Sequence, residues 1–157
     1  MKKISILIRK LTVPPVFAAL LLITISISRS HYLNSIWQLA LGILFLTVLP
    51  VLAYPMQKHF SSFKDKGREG QRSLAMLFSF AGYCLGVIVA FATSAPIELK
   101  IIYLEYLLCG LGMLVFNKVF KLKASGHACG IIGPVVLLIY FRLYIPALVA
   151  IALSIPV

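Results

Sequence analysis

Long apolar runs separated by short basic segments constrain this chain more than any other feature. Four runs, 11–28, 35–54, 74–94 and 99–117, approach or reach the roughly 20 apolar residues that a helix needs to cross about 30 Å of hydrocarbon. Only 12% of the residues are charged, where a soluble domain has about a quarter. Because backbone groups in lipid must be hydrogen-bonded internally, such runs predict transmembrane helices. The sequence therefore predicts an integral membrane protein.

The carboxyl-terminal stretch, 128–157, is apolar except for Arg142. As one helix it would be about 45 Å long, too long for one upright span and too short for two complete spans. Arg142 and Pro146 favour a turn, because a central Arg in lipid is costly and Pro interrupts a helix. We therefore expect a fifth span over 128–141 and an incomplete sixth over 143–157. The predicted fold is an all-α, polytopic transmembrane bundle of five to six spans, forming a single domain over 1–157.

Basic residues alternate between the connections of this bundle. The amino-terminal tail holds four Lys or Arg, and the five connections that follow hold one, five, one, three and one. The positive-inside rule then predicts that the amino terminus and the second and fourth connections are cytoplasmic. The formal net charge of +11 is concentrated in these short segments, which favours anionic lipid or phosphorylated head groups as partners and not nucleic acid. No metal or cofactor is expected, since the three cysteines lie in apolar stretches without metal-ligand spacing.

Two cytoplasmic segments carry residues suited to binding phosphate. The second connection contains Lys64, Lys66 and Arg72, and the fourth ends in Ser125-Gly126-His127 just before the fifth span. Lys and Arg neutralise phosphate oxygens, and amides at a helix start point towards an anion with the helix dipole behind them. A His can transfer a proton near neutral pH. We therefore predict a phosphate site formed by Lys64, Lys66, Arg72, Ser125 and Gly126, with His127 beside it as a group that can transfer a proton.

The tripeptide Ser125-Gly126-His127 resembles the second motif of the type 2 phosphatidic acid phosphatase (lipid phosphate phosphatase) superfamily, Pro-Ser-Gly-His, with Ala124 in place of Pro. The resemblance covers roughly 54–157. It implies a six-helix bundle in which Ser125 and Gly126 hold the phosphate, His127 protonates the leaving oxygen, and the phosphoryl group passes to a second histidine.

The other two motifs of that superfamily match less. The first motif, a Lys followed by six residues and then Arg-Pro, has only a loose counterpart. Five residues separate Lys66 from Arg72, seven separate Lys64 from Arg72, and Ser73 replaces Pro. On one helix Lys64 would lie about 80° from Arg72 and Lys66 about 120°, which favours Lys64. The third motif is absent, because no Ser-Arg and no His follow His127. We therefore expect a truncated chain that is catalytically impaired as it stands.

Two hypotheses follow for function. The first is a membrane lipid or isoprenoid phosphate phosphatase-like protein, whose partners are its phosphorylated substrate and anionic lipids. The alternative is a non-catalytic small membrane protein whose basic cytoplasmic loops bind anionic lipid or a partner.

Two further features lie inside the apolar runs. Glu105 is the only acid well within a run, and an intramembrane carboxylate is a functional candidate, unless it reaches water or pairs with Lys100. Gly82 and Gly86 predict a close-packing face in the third span.

Overall fold

The structure is a computed structural model that describes residues 14–33, 35–120 and 126–154. The described residues form helices and no strands, which confirms the predicted all-α class. Within these residues six helices make up the bundle: α1 Pro14–Ser28, α2 Ile36–His59, α3 Gly67–Ala92, α4 Ile97–Lys118, α5 Gly126–Tyr140 and α6 Tyr144–Ser154. A 3-10 turn, Ser30–Leu33, follows α1, and a short helix, Ser61–Lys64, lies between α2 and α3.

Three of these helices, α2, α3 and α4, are long and apolar enough to cross a membrane. The other three are apolar but shorter, with 15, 15 and 11 residues in α1, α5 and α6, or about 22, 22 and 16 Å of helix. The helices therefore indicate a membrane protein, and three of the expected five to six spans have full length in the described part of the chain.

The helix ends differ from the apolar runs in two places. Helix α3 begins at Gly67, seven residues before the third run, because polar residues form its first two turns. Helix α2 continues to His59, beyond the end of the second run. The chain leaves α5 after Tyr140 and turns at Arg142, whose φ is +58°, so the break falls where the turn was expected. Residues 11–13 and 155–157 of the predicted spans lie outside the described residues.

Small residues let α3 approach its neighbours closely. Gly82 is buried against the backbone carbonyl of Phe45 in α2, and Gly86 is buried against the ring of Tyr103 in α4. A Cβ at either position would collide with these atoms. The Gly82–Gly86 face is therefore a close-packing face, and it serves two different helices.

Helix α5, which carries Gly126 and His127, packs on α1, α4 and α6. Its Gly130 lies against Pro14 at the start of α1, and its Gly133 lies against the Glu105 carboxyl group of α4. Pro134 is fully buried next to these glycines. Helix α5 is thus held between the first helix of the described chain and the helix that contains the intramembrane acid.

Candidate functional site

The basic segment between α2 and α3 is a compact structure at one end of the bundle. Gln57, at the end of α2, donates hydrogen bonds from its side-chain amide to the carbonyl oxygens of Phe63 (3.0 Å) and Gly67 (2.8 Å). The buried Gly70 of α3 packs under the short helix, where a Cβ would lie 2.5 Å from the Phe63 carbonyl oxygen. These contacts fix the path of the chain that presents the basic side chains.

All three predicted phosphate-binding cations of this segment are exposed. Lys64 ends the short helix, Lys66 lies directly before α3, and Arg72 lies in the second turn of α3. The Lys66 ammonium group lies 6.0 Å from the centroid of the Phe63 ring. Because the helix is interrupted at Asp65 and Lys66, Lys64 and Arg72 do not share one helix. The premise of a single helix, on which the angular preference for Lys64 over Lys66 rested, is therefore wrong.

The second half of the predicted site lies at the start of α5. Gly126 and His127 are the first two residues of that helix, so their amides belong to its first turn, where backbone N–H groups have no intrahelical acceptor. Ser125 and the imidazole of His127 lie outside the described residues.

Contacts between helices give the height of α5 relative to α3. Helices α3 and α4 are antiparallel, with Gly86 against Tyr103 and the ring of Tyr83 5.4 Å from that of Tyr106. Helices α4 and α5 are also antiparallel, with Glu105 against Gly133 and Cys109 close to Cys129. Helices α3 and α5 are therefore parallel, and both begin at the same end of the bundle.

Counting residues from these contacts places His127 at the same height along the bundle axis as residue 111 of α4 and residue 78 of α3. Arg72 precedes residue 78 by six residues, or about 9 Å along the helix axis. The first residue of α3 lies about 16 Å from residue 78 in the same direction. Arg72 is therefore closer in height to His127 than Lys64 or Lys66 is.

A second group of polar side chains surrounds Glu105 in the interior of the bundle. One carboxyl oxygen of Glu105 accepts a hydrogen bond from the Cys109 thiol, with the sulfur 3.1 Å from the oxygen. Tyr83 from α3 and Cys129 from α5 face the same group. Three helices thus contribute to one polar cluster, formed by Tyr83, Glu105, Tyr106, Cys109 and Cys129.

This polar cluster differs from what the sequence predicted for Glu105. The expected alternative, a pair with Lys100, is wrong, because the Lys100 ammonium group lies 5.1 Å from the centroid of the Phe91 ring on α3. The sequence analysis assigns the cysteines no role beyond the lack of metal-ligand spacing, although the four-residue spacing of Glu105 and Cys109 already predicts a contact on one helix face. The sequence does not indicate that Tyr83 and Cys129 lie near Glu105, because this depends on how α3 and α5 are aligned along α4.

Comparison of the chain with known protein families, with characterised proteins and with solved structures finds no match in any of the three. Function is therefore inferred from the residues and from the geometry described above.

Proposed function

We propose that this protein is a membrane-embedded, lipid phosphate phosphatase-like protein that binds a phosphorylated lipid or isoprenoid at its cytoplasmic face. The observation that supports this most is the parallel arrangement of α3 and α5. Both helices begin at one end of the bundle, so the cations before and in α3 and the first amides of α5 border the same side of the membrane. Five to six spans with a cytoplasmic amino terminus complete the proposed topology, in line with the alternation of basic residues.

The chemistry of the two helix starts suits a phosphate monoester. The guanidinium group of Arg72 offers paired N–H donors that match two phosphate oxygens. The first amides of α5 and the positive end of its dipole stabilise the remaining negative charge. Lys64 and Lys66 raise the local concentration of anions without being fixed in one geometry, and His127 is the group that would protonate a leaving alcohol.

Hydrolysis needs one more group than this sequence supplies. Phosphoryl transfer by the proposed route uses a histidine as acceptor, and no histidine follows His127 in the 157 residues. We therefore propose binding of the phosphorylated lipid with little or no turnover by the chain as it stands.

A second candidate function is binding to an anionic membrane surface through the basic segment. It is favoured by the exposure of every cation in that segment: Lys58, Lys64, Lys66, Arg68 and Arg72. Each exposed cation near an anionic membrane contributes a similar attraction, so this function needs no defined site.

Lipid titrations distinguish the two functions. Purified protein in neutral detergent micelles would be titrated with short-chain phosphatidate and with short-chain phosphatidylglycerol, with binding followed by calorimetry. Phosphatidate is a monoester with an unblocked phosphate, whereas phosphatidylglycerol is a diester, so a phosphate site should bind the first more tightly.

The matched variants are Arg72→Gln and Arg68→Gln, which remove the same charge four residues apart on α3. We expect Arg72→Gln to weaken phosphatidate binding about tenfold, the effect of losing a hydrogen bond to a charged group, and Arg68→Gln to leave it within about twofold. If both variants lost the same affinity for phosphatidate, and the wild-type protein bound both lipids equally, the surface-binding function would be favoured instead.

A further inference from the structure

The polar cluster around Glu105 contains two buried polar atoms that the protein leaves without a hydrogen-bond partner. One is the second carboxyl oxygen of Glu105, Oε2, and the other is the hydroxyl group of Tyr106. Tyr106 is only 5% exposed, and the first carboxyl oxygen of Glu105 is already bonded to Cys109. Buried polar groups are normally paired, so two such atoms in neighbouring residues are a feature that the function of the cluster has to explain.

The groups that face Glu105 come from every helix packed around it. Helix α3 contributes the phenol of Tyr83, α4 the phenol of Tyr106 and the thiol of Cys109, and α5 the thiol of Cys129. All of these side chains are neutral in their protonated forms, and no Lys, Arg or His faces the carboxyl group within the described residues. An ionised carboxylate would therefore lack a counter-ion in an apolar medium, where unpaired charge is costly.

Helix α5 approaches the carboxyl group closely and contains a backbone carbonyl group without its usual helical donor. A Cβ at Gly133 would lie 2.5 Å from Glu105 Oε1, so only glycine permits this approach. The next residue, Pro134, has no N–H to donate to the carbonyl oxygen of Gly130 one turn earlier. A protonated carboxyl group could donate to such an oxygen, whereas a carboxylate could not.

We propose that the polar cluster is an intramembrane proton-binding site in which Glu105 carries an exchangeable proton. The O–H bond forms on Oε2 with a proton taken from water and breaks when that proton is returned to water. A metal ion fits less well: Glu105, Cys109 and Cys129 share this cluster, but no group of three His, Cys, Asp or Glu side chains among the described residues is arranged to hold a metal ion. This inference does not depend on phosphate binding at the start of α5.

A path for exchange runs along α3 towards the end of the bundle that carries the basic segment. Ser79 lies one turn before Tyr83 on that side, and its hydroxyl group is close to the Tyr83 phenol. The Ser79 hydroxyl group donates a hydrogen bond to the Ala75 carbonyl oxygen at 2.8 Å. These hydroxyl groups extend the polar cluster by about 6 Å along the helix axis.

Infrared spectroscopy of the protein in lipid bilayers tests the proposal directly. The carbonyl stretch of a protonated carboxylic acid is separate from the bands of an ionised carboxylate, and the whole chain has only four acidic residues. We expect a carboxylic acid band at neutral pH that shifts in D2O, is lost in Glu105→Gln and is retained in Glu98→Gln, the matched change nearer the start of the same helix. Absence of the band at neutral pH, its persistence in Glu105→Gln, or its failure to shift in D2O would overturn the proposal.

Chemical labelling provides a test that needs no folded variant. A hydrophobic carbodiimide takes up the proton of a carboxylic acid while the carboxyl oxygen adds to its central carbon, and the adduct rearranges to a stable N-acylurea without a leaving group. Treated in bilayers at neutral pH, the wild-type protein should carry this adduct on Glu105 and not on Glu98, as located by mass spectrometry of the fragments. Modification of Glu98 alone would contradict an intramembrane protonated acid at position 105.

Discussion

At the scale of single residues, His127 is the group on which the proposed function can be tested most simply. Without an attacking imidazole there is no phospho-enzyme route, and loss of one member of a catalytic unit usually removes most of the rate. We expect the purified 157-residue chain to hydrolyse phosphatidate or an isoprenyl diphosphate no faster than its His127→Ala variant, with released phosphate as the measurement. Steady turnover that disappears in His127→Ala would instead mean that another nucleophile, or water, attacks the phosphorus.

The chemistry of a residue could be predicted from the sequence where its side chain is of a type that is rare among its neighbours. Glu105 stood out because an acid is rare in an apolar run. Its partners did not, since Lys100 is five residues away and lies about 140° around the helix, on a different face. The thiol of Cys109, four residues away, lies on the same face and makes the contact. Predicting the partners thus required the direction of each side chain and the neighbouring helices.

At the scale of helices, close contact between α3 and α4 depends on Gly86. Gly86→Ala would place a methyl group into the ring of Tyr103, which is only 1% exposed and has little room to move. We expect a loss of about 1–3 kcal/mol in the free energy of unfolding, typical of overpacking, measured by denaturant titration in detergent.

Gly112→Ala is the matched control, because a Cβ at that position of α4 meets nothing within 4 Å. We expect it to be neutral, or to gain up to about 1 kcal/mol from better helix propensity. If the two variants lost equal stability, the close approach at Gly86 would not be a packing contact.

Helix positions could be predicted better than helix pairing. Apolar runs and the cost of Arg142 in lipid indicated all six helices and the turn between α5 and α6. The start of α3 at Gly67 was missed, because its first turns are polar and carry no hydropathy signal. The registers between helices depend on pairs such as Glu105 and Gly133, and nothing in a single sequence links those positions.

At the scale of the whole molecule, the proposed topology puts both basic connections on the cytoplasmic side. Single cysteines would be introduced as Ser61→Cys and Lys121→Cys in a variant without the native cysteines, and intact cells treated with an impermeant thiol reagent. We expect neither position to be labelled, whereas Ser94→Cys, in the exposed turn between α3 and α4, should be labelled from outside. Labelling of Ser61→Cys or Lys121→Cys in intact cells would refute the topology.

The measurement that tests the central claim most directly is cross-linking between the starts of α3 and α5. A bifunctional thiol reagent spanning about 12 Å, roughly two long side chains with a phosphate between them, would be applied to the pair Arg72→Cys and His127→Cys in a background without native cysteines. We predict efficient cross-linking of this pair, with no cross-linking of the control pair Ser94→Cys and His127→Cys. If each cysteine reacts with a monofunctional reagent but positions 72 and 127 do not cross-link, these two residues do not border one phosphate site.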